Sequence, residues 1–102
     1  MKQATLCYPI TDTHILLGHK KVGFGSGYKN GFGGKIKKKE NPEQAALREL
    51  FEEASLNGLQ EHLTKMGILQ FFFGGEPLFE VHIFTLHKWI GEPEESKEMF
   101  PE

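Results

Sequence analysis

The sequence predicts an α/β domain: a mixed β-sheet packed against one strongly signalled helix. Three observations carry this. Residues 41–58 hold a helix start, a run of helix formers and a stop. Residues 67–73 and 78–89 read as strands separated by Gly74-Gly75-Glu76-Pro77. Seven of the 12 glycines fall between Gly18 and Gly34, which marks a loop shaped for close backbone approach.

In chain order, residues 4–10 are apolar and β-prone, and Thr11-Asp12-Thr13 makes a turn. Residues 14–20 form a second strand through Ile15, Leu16 and Leu17, and the two read as a hairpin. Pro9 lacks an amide donor, so the first strand lies at an edge or ends there. Residues 22–29 form the glycine-rich loop, residues 30–36 a short strand, and Lys37-Lys38-Lys39 is exposed. Residues 58–65 are a connection of no fixed type. In residues 67–73, Phe71 and Phe73 share a face and Phe72 takes the other. Residues 78–89 alternate, with Phe79, Val81 and Ile83 on one face and Glu80, His82 and Phe84 on the other. Residues 92–102 are acidic, bounded by prolines, and read as loop. A mixed sheet with the helix against it follows from this order of elements.

The helix is the best-specified element. Asn41 suits the N-cap, Pro42 the first helical position, and Gln44 the reciprocal position of a capping box. Asn57-Gly58 supplies the stop. The helical wheel is expected to put Ala46, Leu47, Leu50, Phe51 and Ala54 on one side and Glu49, Glu52 and Glu53 on the other. Carboxylates crowded on about one and a half turns repel one another. A solvated polar face is the ordinary reading of a charged helix side, yet mixed charges would fill it at lower cost. The alternative is a hard-cation site, in which carboxylates and substrate phosphates share a Mg²⁺ ion.

Composition narrows the class. A chain of 102 residues makes a single domain, 1–102, with a modest core. A net charge of −2 argues against an electrostatic binder of nucleic acid. The lone Cys7 excludes an internal disulfide and reads as a small apolar filler in a reducing compartment. No apolar run reaches the ~18 residues of a membrane span, and the N-terminus lacks a signal-peptide core. No membrane association and a cytoplasmic location are expected. His14, His19 and His62 have no metal-ligand spacing, and His82 and His87 read as strand histidines.

A longer pattern surrounds the helix. Gly34, five residues, Glu40, seven residues, then Arg48-Glu49-Leu50-x-Glu52-Glu53-x-Ser55-Leu56 resembles the Nudix box, G-x5-E-x7-R-E-U-x-E-E-x-G-U, over residues 34–56. Ser55 stands where the box has Gly. Six fixed matches arise by chance in roughly 10⁻⁷ to 10⁻⁸ of windows at ordinary residue frequencies. Further matches are Leu16-Leu17-Gly18-x-Lys20-Lys21, Gly23-Phe24-Gly25-x-Gly27, Asn30-Gly31-Phe32-Gly33-Gly34-Lys35, Gly75-Glu76-Pro77, Val81-His82-x-Phe84 and Glu98-Met99-x-Pro101. Together they resemble the oxidised purine nucleoside triphosphatase (8-oxo-dGTPase) branch of Nudix hydrolases. Tyr28-Lys29 departs from that branch, which has a basic residue and Trp there. The branch also continues with a strand and a second helix beyond the position of Pro101. The resemblance therefore implies a C-terminally short chain, an uncovered apolar sheet face and self-association.

The resemblance implies an α/β/α Nudix sandwich and Mg²⁺-dependent hydrolysis of nucleotides, with Mn²⁺ able to substitute. The expected substrates are oxidised purine triphosphates of the 8-oxo-dGTP or 2-hydroxy-dATP type, and the products monophosphate and pyrophosphate. Glu49, Glu52, Glu53 and Glu98, with the Gly33 carbonyl, would hold metal. Arg48 would hold a carboxylate in place, and Glu53 or Glu98 would accept the proton from water. Thr5, Lys20, Phe24, Asn30, Gly34, Lys35, Phe71 and Phe79 would meet the nucleotide, with Val81 nearby. Asn30 carries both a donor and an acceptor, so it could read a purine edge or merely serve a left-handed turn before Gly31. The competing class is a short Nudix fold that binds nucleotide or a partner with little turnover. A hydrolase of another nucleoside diphosphate derivative is a further alternative.

Overall fold

The computed structural model describes residues 2–21, 29–96 and 99–101. Its central sheet has the order β1–β6–β5, from β1 (Lys2–Pro9), β5 (Leu63–Phe73) and β6 (Glu76–Leu86). β1 runs parallel to β6, with Thr5 beside His82 and Cys7 beside Phe84. β5 pairs antiparallel with β6 through the turn at Gly74-Gly75. The sheet is therefore mixed, as expected. A second sheet joins β2 (Gly18–Lys20), β3 (Lys29–Asn30) and β8 (Met99–Pro101), and a small ribbon pairs β4 (Asn57–Gly58) with β7 (Trp89–Ile90).

The first hairpin is only half realised. Its turn forms, with the Thr11 amide donating to the His14 carbonyl and the Leu16 amide to the Pro9 carbonyl. The chain then leaves for the second sheet, because β2 pairs with β3 and β8 instead of β1. Nor is β1 an edge. Its free side is taken by residues 32–36, where the Thr5 amide reaches the Gly34 carbonyl and Cys7 and Phe32 exchange two bonds. Residues 92–102 are not all loop, since β8 closes the second sheet.

The helix α1 (Pro42–Ala54) starts as its sequence dictates. The Asn41 side chain accepts from the Gln44 amide at 2.8 Å, and the Gln44 side chain accepts from the Asn41 amide at 2.9 Å. Its end is one turn signal earlier than expected. Ser55 adopts a left-handed conformation (φ 61°), with its amide on the Phe51 carbonyl. Asn57-Gly58 goes into β4 instead. Gly58 packs closely there: a Cβ would stand 2.7 Å from the Leu86 side chain, which would have to shift.

The helical wheel also needs correction. Glu53 is buried at 1% exposure beside Ala46, Leu50 and Ala54, while Phe51 is 46% exposed. Seven residues at about 100° each return nearly to the start, so Glu53 lies within about 20° of Ala46. The core joins Cys7, Phe32, Ala46, Leu50, Ala54, Leu56, Phe84 and Leu86. Cys7 is the apolar filler expected, its thiol pushed up to about 12 by burial. Truncating Leu50 in such a core costs about 2–5 kcal/mol.

Candidate active site

Two glycines bring the helix to the sheet. Gly33 follows the core residue Phe32, and a Cβ on it would lie 1.8 Å from the Thr5 carbonyl oxygen. A Cβ on Gly34 would lie 2.8 Å from the Glu49 carboxyl carbon. A side chain at Gly33 would push this loop off β1, and one at Gly34 would displace the Glu49 carboxylate. The approach lets the Gly33 N–H donate to Glu53 Oε1 at 2.8 Å. A buried carboxylate is costly unless hydrogen-bonded, so Glu53 is no solvated surface charge. Glu52, 53% exposed at its side chain, does fit that description.

Arg48 ties the carboxylates together. Its Nε and Nη2 donate to the two oxygens of Glu40 at 2.7 and 3.0 Å, a bidentate clamp across the loop that enters the helix. Its Nη1 donates to Glu49 Oε1 at 2.7 Å and to Glu52 Oε2 at 3.2 Å, and its Nη2 also reaches the Lys35 carbonyl. The guanidinium holds Glu40 below the usual carboxylate range, and Glu40 in turn raises Arg48 further above its ordinary value. Arg48 thus has the carboxylate-holding geometry that the resemblance implied. Glu40 is a residue that sequence reasoning left without a role, although the eight-residue spacing in the box was its signal.

The donor set suits a hard cation: carboxylates of Glu49, Glu52 and Glu53 and a neighbouring backbone carbonyl, all oxygen. Among the described residues no three such groups already converge on one point. Arg48 draws Glu49 and Glu52 to itself, and Glu53 faces Gly33. Glu98 lies outside the described residues.

Beside the glycine pair opens a cavity of about 500 Å³. Thr5, Asn30, Gly34, Lys35, Phe71, Phe79 and Val81 line it, all expected from the sequence. Leu6, Phe72 and Leu78 also line it and were not expected. Strict alternation would turn Phe72 away from Phe71, but a register shift between them brings both to the cavity. Thr5 is buried, and its hydroxyl has no hydrogen-bond partner among the described residues. Asn30 is not left-handed, which removes the turn explanation for it. Its Oδ1 accepts from the Tyr8 hydroxyl at 2.9 Å and from the Gly31 amide at 2.8 Å. Tyr8 was missed; its signal was the period-two spacing after Ala4 and Leu6, both cavity residues. Phe24 and the Lys20 side chain lie outside the described residues. The neighbouring Lys21 pairs with Glu95 and donates to the Ser96 carbonyl. No described helix is long and apolar enough to cross a membrane.

This arrangement has counterparts. The chain is 48% identical over 102 residues to the oxidized purine nucleoside triphosphate hydrolase of Danio rerio, covering 99% of this chain and 64% of that protein. It is 46% identical over 99 residues to the protein of the same name from Mus musculus, covering 96% and 62%. It therefore spans somewhat under two thirds of the length of these relatives. Its fold is similar to the crystal structure of MutT NUDIX hydrolase from Burkholderia pseudomallei, with a TM-score of 0.84, 22% identity, and coverage of 97% and 78% of the two chains. The mutator MutT protein from Bacillus halodurans gives a TM-score of 0.81 at 22% identity, covering 100% and 67%. The NUDIX domain model matches residues 1–101, so glycine pair, clamp and helix fall inside one family pattern, and this chain belongs to the Nudix family.

Proposed function

We propose that this chain hydrolyses nucleoside triphosphates to monophosphate and pyrophosphate with Mg²⁺, and that oxidised purines are its preferred bases. One observation carries the reading. The cavity and the carboxylates share Gly33 and Gly34: both glycines line the cavity, Glu53 accepts from Gly33, and Glu49 packs on Gly34. A nucleotide with its base in the cavity would present its phosphates to the carboxylate-bearing side of α1. The names of the two relatives support the substrate class.

Phosphoanhydride hydrolysis needs charge neutralisation and an oriented water more than covalent help. Bound Mg²⁺ supplies the neutralisation. Arg48 keeps Glu49 and Glu52 at the site while its grip on Glu40 fixes the loop. Lys35, exposed at the cavity mouth, adds positive charge beside the phosphates. Glu53 accepts the proton as water forms the new P–O bond, and the departing phosphate or pyrophosphate group leaves with the electrons of the old one. Its place on a helix and its bond to Gly33 fix its direction. Self-association belongs to the same proposal. Met66, Ile68 and Leu69 are exposed on β5, the outer strand of its sheet among the described residues, and sedimentation would register it.

The test is phosphate and pyrophosphate release across a panel of oxidised and ordinary nucleotides, with Mg²⁺ and with chelator. Pyrophosphate released fastest from oxidised purines, and only with metal, is expected. No turnover of any nucleoside diphosphate derivative would refute the reading and favour a binding module.

A further inference from the structure

We propose that Tyr8 is a positioning residue for the base cavity. It fixes the Asn30 amide so that the cavity meets only N–H donors from it, which selects 6-oxopurines over 6-aminopurines. The inference rests on the proposed nucleotide substrate and deepens it.

The argument begins with atom identity. The group facing Asn30 at 2.8 Å is the backbone N–H of Gly31, which can only donate. The amide atom it meets is therefore the oxygen, and the orientation of the amide is settled by chemistry. The Tyr8 hydroxyl, 2.9 Å from the same oxygen, must then donate to it. Two donors fill the two lone pairs of Oδ1. What Asn30 has left is the pair of N–H groups on Nδ2.

Placement says where that pair is offered. Asn30 and Gly31 line the cavity, and Tyr8 does not. Tyr8 reaches the amide from behind, out of the same strand whose Ala4 and Leu6 form the cavity wall. Its ring is packed on Gly31, where a Cβ would come within 2.8 Å of it. The ring lies against Gly31, and from there its hydroxyl meets the Asn30 oxygen. A 6-oxopurine brings a carbonyl oxygen to such donors. A 6-aminopurine brings an N–H₂ group, and donor would face donor. Without the tyrosine hydroxyl that oxygen loses one of its two donors, and only the Gly31 N–H still opposes turning the amide over to accept from the amino group.

The experiment compares kcat/KM for an oxidised 6-oxopurine triphosphate and an oxidised 6-aminopurine triphosphate in the parent, Tyr8→Phe, Asn30→Ala and the double variant. The parent should favour the 6-oxopurine, and Tyr8→Phe should lower that ratio by about five- to tenfold, the size of one hydrogen bond. The change should lie mainly in KM, and Tyr8→Phe should add nothing in an Asn30→Ala background. An equal fall for both bases, or additive effects in the double variant, would overturn the proposal. So would a parent that favours the 6-aminopurine. If no nucleotide is turned over, the reading of function fails while the lock remains testable. ¹⁵N relaxation of the Asn30 side chain should show a rigid amide that loosens in Tyr8→Phe, and an unchanged amide would overturn the lock itself.

Discussion

Gly33 donates its amide proton to Glu53, 20 residues later, at 2.8 Å and out of contact with solvent. The bond fixes the direction of a carboxylate on the inner side of α1, and only a glycine can carry it, since any Cβ would strike the Thr5 carbonyl.

Replacing Glu53 with Gln keeps an oxygen to accept from Gly33 and removes the proton acceptor. The expected result is a loss in kcat of about 10²-fold or more, with a melting temperature close to the parent's. Glu98→Gln should cost less. Kinetics beside thermal melting decide it. A collapse of the melting temperature in Glu53→Gln would make the residue structural.

Hydrolysis should stop with chelator and return with Mg²⁺ or Mn²⁺, since both prefer oxygen ligands. Pyrophosphate release after EDTA treatment is the measurement, and activity that survives EDTA would rule out a metal-dependent site.

The clamp between Arg48 and Glu40 should set the acid limb of stability. Arg48 holds the Glu40 pKa below the ordinary 4.5, so the unfolded chain takes up that proton first as pH falls. The stabilisation is full above pH 4.5 and is lost as pH falls through the lower, folded value. Glu40→Gln should flatten the pH dependence of denaturant midpoints below pH 5. Arg48→Lys should lose activity despite its charge, because an ammonium cannot hold both oxygens of Glu40 and reach Glu49 as well.

Ser55 and Lys39 are both left-handed, at φ 61° and 71°. A side chain costs roughly 1 kcal/mol in that conformation, and glycine does not bear the cost. Ser55→Gly and Lys39→Gly should each raise the melting temperature by several degrees, about 4–8 °C per kcal/mol for a chain of this size. Lower melting temperatures would show that the two side chains make contacts worth more than the strain.

Asn30→Ala should lower kcat/KM for an oxidised purine by roughly 10–100-fold, as hydrogen bonds to the base are lost. The fall should be much smaller for a pyrimidine triphosphate. An equal fall for every base would mean that Asn30 only shapes its loop.

The sequence by itself determined the elements whose causes are local. A cap, a proline and a reciprocal glutamine suffice to start α1 at Pro42, since all three act within one turn. The spacing of Glu40, Arg48, Glu49, Glu52 and Glu53 marked the site, and alternation marked β6. Partnerships between distant segments needed the fold. Strand pairing is non-local, so β2 could leave β1 for β8, and residues 32–36 could cover the outer side of β1, whose end at Pro9 the sequence did allow for. The end of α1 fell to Ser55 because Asn57-Gly58 was claimed by β7. Glu53 looked like one of three surface acids until packing turned it inward against Gly33. Tyr8 had no chemistry on its own in β1. It gained one when the chain returned 22 residues later and set Asn30 against its hydroxyl, because a hydrogen bond depends on where two atoms meet and not on how far apart they lie in sequence.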